Sequence, residues 1–255
     1  MNWRLSLLLL LTACPERQEP ARGLQLVYKK PDATPIRSTV DRRLAQLKVK
    51  ANLSEDDSTL TVRFTEGTDA SRIKALFRQR AHLEFCAEDV TIAERWCDAK
   101  WPEGISVDSS GKTCSLMGPG KKELESALSD AGVEFAWDSA GKQAYSVSRC
   151  VSPRIVAAEP HSDAKNVSLE FDRAGAKEFA NITTETVGRR LLIRLDGVVG
   201  SAPIVMEPIT GGKAMLMTGS KDPESMEVLA ASLVGGALPE LVLEKEGTWG
   251  PPSLK

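Results

Sequence analysis

Hydrophobic positions alternate between two periods from residue 24 onward. Leu24-Gln25-Leu26-Val27-Tyr28 reads as a strand, and Val40, Leu44 and Leu47 then fall on one face of a helix over 38–48, with Ser38 as its N-cap. Val49, Ala51 and Leu53 alternate, 54–58 is a polar turn, and Leu60, Val62 and Phe64 alternate again. Asp69 caps a helix carrying Ile73, Leu76 and Phe77, and Leu83 with Phe85 marks a further strand. The order β-α-β-β-α-β predicts a ferredoxin-like unit over 24–86, two helices covering one face of an antiparallel sheet.

The pattern weakens over 87–150, where Trp96 and Trp101 stand beside Cys97 and Gly118-Pro119-Gly120 precedes a helix at 121–131. This stretch reads as a connecting segment of weak regular structure held by its cysteines. Periodicity returns near 166. Val167, Leu169 and Phe171 alternate, and Asp172 caps a helix with Ala176, Phe179 and Ala180 that runs to about Gly188. Leu191, Ile193 and Leu195 lead into Asp196-Gly197, a strong hairpin signal, and 198–205 returns with Pro203 marking an edge or a bulge. A strand over 213–218 holds Met215 and Met217, read as strand packing rather than a metal box. Asp222-Pro223 then opens a helix with Met226, Leu229, Ala230 and Leu233 on its buried stripe, and Gly235-Gly236 closes it. Leu241 and Leu243 predict one more strand, returning over 237–249 to the first unit's sheet. The fold class is therefore α+β: a ferredoxin-like base, and over 151–236 a second α+β unit with an antiparallel sheet. Hinges are expected near 150–165 and 235–240.

Composition narrows the function more than the fold. The 255 residues hold 33 Lys+Arg against 35 Asp+Glu, a net charge of −2, and a pI near 5.9 argues against nucleic acid as a partner. The base alone carries +4, with Arg42, Arg43, Lys48 and Lys50 on or just after its first helix; this reads as a solvated face, or alternatively as one turned toward anionic lipid. Catalytic constellations are missing. His82 and His161 have no triad partners in pattern, Ser201 lacks the GxSxG elbow, and Gly211-Gly212-Lys213 has no P-loop spacing before it. No enzyme, cofactor or metal is expected.

The first thirteen residues read as a leader: Arg4, then the leucine-rich run Leu5 to Leu11. Leu11-Thr12-Ala13-Cys14 is similar to the bacterial lipobox, making Cys14 the expected site of lipid attachment and 14–23 a polar tether. This places the chain in the cell envelope, facing the periplasm, with Pro15 favouring the outer membrane over the inner. After residue 13 no apolar run approaches the ~20 residues of a bilayer span. Cys86, Cys97, Cys114 and Cys150 make an even set for an oxidising compartment. Local closure favours Cys86–Cys97 and Cys114–Cys150 among three pairings, and zinc is the weaker alternative because CxxC spacings and nearby histidines are missing.

Several motifs in order carry a resemblance over about 166–250: Val167-Ser168-Leu169-Glu170-Phe171-Asp172 with Gly175-Ala176 and Phe179; Asp196-Gly197 through Ser201-Ala202-Pro203-Ile204; Ile209-Thr210-Gly211-Gly212; and Gly235-Gly236-Ala237-Leu238-Pro239. This stretch resembles the first periplasmic domain of SecD, a subunit of the bacterial protein-export machinery, and 37–86 adds a weaker match to that domain's base. The resemblance implies a ferredoxin-like base, a mobile head that holds emerging polypeptide, and translocon components as partners. SecD also has transmembrane helices coupled to the proton gradient, which nothing in this sequence matches. The expected function is thus non-enzymatic binding of unfolded or translocating polypeptide, with Ser201, Ala202, Pro203 and Ile204 as the candidate contact because Pro203 signals an edge. The alternative is an envelope scaffold that binds one folded partner.

Overall fold

The computed structural model describes residues 23–65, 67–110, 112–128, 134–161, 165–217 and 222–250. The expected leader, Cys14 and the tether up to residue 22 lie outside these residues. Among those described, no helix is long and apolar enough to cross a membrane.

The base follows from its alternation. β1 (Gly23–Lys29) buries Leu26 and Tyr28, and β2 (Asn52–Glu55) with β3 (Thr59–Thr65) buries Leu53, Leu60, Val62 and Phe64. Helices α1 (Arg37–Gln46) and α2 (Ala70–Arg78) cover that face with Val40, Leu44, Ile73, Leu76 and Phe77. Asp69 caps α2 as expected, accepting from the amides of Ser71 and Arg72. Ser38 does not cap α1. The Glu55 carboxylate on β2 accepts instead from the amides of Ile36 and Arg37, while Lys30 Nζ donates to it at 2.7 Å.

The chain then departs from the predicted order. β4 (Leu83–Ala87), expected to complete the base sheet, lies in an eight-stranded sheet outside the base. Its place is taken by β15 (Val242–Trp249), antiparallel to β1, giving the order β15-β1-β3-β2. Burial explains the exchange. Leu83, Phe85 and Ala87 pack into one core and Cys86 into another, so β4 needs cover on both faces. β15 carries Glu244-Lys245-Glu246 and suits an exposed edge.

Residues 87–150 are regular, against expectation: α3 (Val90–Asp98), β5 (Ser106–Ser110), β6 (Thr113–Met117), α4 (Lys121–Leu128), β7 (Glu134–Asp138), β8 (Gln143–Val147) and β9 (Arg149–Val151). Their alternation is hidden because small polar residues are buried: Thr113 and Ser115 on β6, Ser146 on β8. Beyond them come β10 (Ile155–Pro160), β11 (Asn166–Phe171), α5 (Arg173–Glu185), β12 (Leu191–Leu195), β13 (Val198–Ser201), β14 (Lys213–Met217) and α6 (Pro223–Gly235). The large sheet runs β5-β6-β8-β7-β13-β12-β4-β9, and β10-β11-β14 forms a third sheet. Residues 150–160, near which a hinge was expected, supply β9 and β10, strands of these two sheets. The chain crosses between base and head after α2 and after α6.

The cysteines pair as Cys86–Cys150 and Cys97–Cys114, which corrects both the local pairing and the zinc alternative. Cys86 and Cys150 are direct neighbours in the β4–β9 ladder, so the sheet brings together ends 64 residues apart. Closing loops of these lengths contributes roughly 4 and 3 kcal/mol through the unfolded state.

Helix α6 joins the two halves. Met226, Leu229, Ala230 and Leu233 enter the head core with Phe85, Phe171 and Phe179, while Val228 and Ala231 enter the base core. A helix buried on opposite faces must be apolar nearly all round, and this one is. Each of its larger side chains contributes ~1.5–3 kcal/mol by burial.

Candidate functional site

Two surfaces bear on function: the junction of head and base, and the outer edge of the head. The junction is organised by Arg43, which the sequence placed on a solvated helix face but which is 0% exposed. It sits with Val40 and Leu44 on the inner face of α1. All five guanidinium N–H groups donate to backbone carbonyls: Leu76 in the last turn of α2, Gln79 and Arg80 just after it, and Gly236, twice, after α6. These are the orphan acceptors that helix C-termini leave, and their negative dipole ends favour a cation. Burial pulls the Arg43 pKa down to about 10, opposed by the charge of Asp196. Gly235 is required here, because a Cβ at that position would lie 2.2 Å from Arg43 Cγ.

The two crossings are tied to each other as well. Leu238 N–H donates to the Arg80 carbonyl at 2.9 Å. Asp196, at the tip of the β12–β13 hairpin, receives the His82 amide on its carboxylate at 2.8 Å and returns its own N–H to the His82 carbonyl at 2.9 Å. Asp196 and Gly197 have φ of 55° and 88°, the left-handed pair a two-residue hairpin needs.

A second buried arginine stands elsewhere. Arg190, just before β12, donates to Glu88 (3.4 Å), to the carbonyls of Thr113 and Asp108, and to the Asp108 carboxylate (3.0 Å). Thr113 Oγ1 also donates to Glu88. Burial pushes the Glu88 carboxyl above its ordinary value, against the pull of Thr113 and Arg190.

The head's outer edge differs from the expected one. β13 lies between β12 and β7, so the hairpin is interior to the sheet. Ala202 is partly buried against that core, and Pro203 spends its carbonyl on the Leu191 amide at 2.9 Å. Ser201 Oγ is buried without a hydrogen-bond partner, and Ile204 is exposed. Pro203 therefore marks the end of β13, where its missing N–H costs no ladder bond. β14 is one edge of the third sheet, and β10 is the other. Among the described residues β14 pairs with β11 alone. Leu216 points into the core, whereas Met215 and Met217 are 52% and 57% exposed, which corrects their reading as packing residues. Met206 is 83% exposed, with Ile204 and Ile209 also exposed, on the segment leading to this strand.

Residues 130–240 match the family described as SecDF, P1 head subdomain. This region is similar to a SecDF P1 head. The protein translocase subunit SecD of Acidaminococcus fermentans is 50% identical over 86 residues, 33% of this chain and 20% of that protein. SecD of Endomicrobium trichonymphae is 45% identical over 86 residues, 33% and 18% of the two chains. The chain thus spans about a fifth of the length of these relatives. Two solved structures share the fold at 21% identity. The crystal structure of SecDF in super-membrane-facing form has a TM-score of 0.60, covering 92% of this chain and 32% of that one. A second, from work on a membrane component SecDF that enhances protein export, has a TM-score of 0.55, covering 87% and 98%.

The P1 head match includes Arg190, β14 and α6, whereas Glu88, Asp108 and Thr113 precede it. The buried ion network therefore fastens the region similar to the P1 head to β4–β6. Sequence reasoning missed Arg43 although a signal existed: position 43 is three residues from Val40 and adjacent to Leu44 on the apolar stripe. Arg190 carried no comparable signal, since its partners come from 77 to 102 positions away.

Proposed function

We propose that this chain is a non-enzymatic module of protein export that holds extended polypeptide on its P1 head. Cys14 acylation would tether it to the membrane on the periplasmic side, alongside translocon components. The observation that carries this reading is the outer edge of β14, which pairs with β11 alone among the described residues and lies in the region similar to the SecDF P1 head. An edge strand offers backbone donors and acceptors to any extended chain, whatever its sequence. Met215 and Met217 flank that edge with flexible, polarisable side chains that adapt to varied neighbours. Ile204 is exposed on the segment that leads to this strand, while Ser201, Ala202 and Pro203 belong to the end of the interior hairpin.

The test is equilibrium binding of a permanently unfolded secretory polypeptide to the purified chain. Saturable binding is expected, weakened about fivefold in Met215→Glu/Met217→Glu, the effect of losing roughly 1 kcal/mol of apolar contact. Binding no stronger than that of a folded control, or unchanged in the double variant, contradicts it. A single folded partner in pulldown without affinity for unfolded chains would install the scaffold reading in its place. Loss of lipid incorporation in Cys14→Ser tests the anchor.

A further inference from the structure

A cleft of about 390 Å³ opens where head and base meet, between α1, the 81–83 turn, the 152–155 segment and the end of α6. Its lining includes Arg42, His82 and Arg154 and no carboxylate. Leu83, Ile155 and Leu233 add an apolar wall. We propose that this cleft binds an anion of the phosphate or phosphate-ester class, which bridges the base through Arg42 and the head through Arg154.

Three observations converge on an anion. First, the donor side chains come from separate segments: Arg42 from α1, His82 from the crossing into β4, and Arg154 from the turn into β10. Arg42 spends Nε on the Gly235 carbonyl and one Nη2 hydrogen on Thr39, which leaves three of its N–H groups for a ligand. Arg154 forms no ion pair among the described residues. Second, the nearest acids are already occupied. Glu84, 3.9 Å from His82 Nδ1, receives Arg194 Nε at 2.8 Å, and Asp196 accepts the His82 amide. Third, Arg43 lies directly behind the cleft wall, hydrogen-bonded to Gly236, and carries a buried charge with no carboxylate in contact. The terminal carbonyls of α6, which would repel an anion, are masked by Arg42 and Arg43. Bidentate arginine donors match tetrahedral phosphate oxygens, and the apolar wall suits an ester substituent.

The experiment is calorimetric titration and thermal melting of the full chain with two probes, inorganic phosphate and dihexanoyl phosphatidylglycerol kept below its micellar concentration. Saturable binding of at least one probe, with a rise in melting temperature, is expected. Binding of phosphate alone assigns a free anion; binding of the lipid alone assigns a headgroup with its ester. Arg154→Glu and Arg42→Ser, both exposed positions, should each weaken binding about tenfold or more, while Lys122→Glu on α4 should not. If neither probe saturates, or if the cleft variants bind as the unsubstituted chain does while circular dichroism shows them folded, the proposal is overturned.

Discussion

The two buried arginines answer one problem in opposite ways. Arg190, between the region similar to the P1 head and the preceding strands, faces Glu88 and Asp108, so its charge is neutralised within the protein. Arg43, between head and base, is satisfied only by carbonyl dipoles. Carbonyls complete the hydrogen bonds but leave net charge, and that charge stands behind a cleft lined by Arg42 and Arg154. The interface within the head is thus electrically closed, and the junction is electrically open. The difference separates a fastening from a place where a ligand can act.

The largest effect is expected at the open site. Arg43→Met would orphan three carbonyls at two helix ends, those of Leu76, Gln79 and Gly236, and lower stability by about 4 kcal/mol in urea denaturation; the Arg80 carbonyl keeps the Leu238 amide. No second substitution should restore it, since backbone acceptors cannot be removed. Arg190→Met should cost about 3 kcal/mol by leaving Glu88 buried without its cation. There the double variant Glu88→Gln/Arg190→Met should recover part of the loss; a double variant as unstable as the single would break the comparison. Gly235→Ala should cost about 2 kcal/mol, because its Cβ meets Arg43 Cγ at 2.2 Å in a packed junction.

Acid should separate the regions most gently. In the base, burial pushes the Glu55 carboxyl up, but the Lys30 ammonium and the amides of Ile36 and Arg37 outweigh it and hold it below its ordinary value. Hydrogen bonds from Thr59 and Ser58 lower Asp56 to about 2. Depressed carboxylates contribute stability that is present above the unfolded value near ~4 and lost as pH falls through the folded one. Glu88 is raised, so its ionised form is penalised, and falling pH lifts that penalty. Hydrogen exchange followed downward from pH 5 should therefore show segments 30–37 and 52–59 losing protection before 87–117. Simultaneous loss would contradict this ordering.

Much of the architecture was legible in the chain, because period-2 and period-3.6 stripes dictate which faces are buried. Asp69, Asp172 and Asp222 cap their helices as expected, each accepting from amides of the first turn. What failed was partner choice. The charges of β15 suit an edge, but that β4 leaves the base rests on what covers Cys86 and Phe85 from the two sides of its own sheet. The disulfide pairing failed for the same reason, since ladder neighbours are set by the sheet and not by sequence distance. Pro203 pointed to an edge, yet the strand before it is interior, and β14 is an edge instead. An edge is a property of the finished sheet. The motifs that carry the SecD resemblance were visible because their turns require particular residues, Asp196-Gly197 foremost.

The central claim is that extended polypeptide lies along β14. Photocrosslinking from benzoylphenylalanine at position 215, compared with position 242 on the base edge β15, tests it most directly, since both sites are exposed edge positions. With an unfolded secretory substrate, adducts are expected from position 215 and few from 242. Equal yields from both positions, or none from 215, would contradict the account.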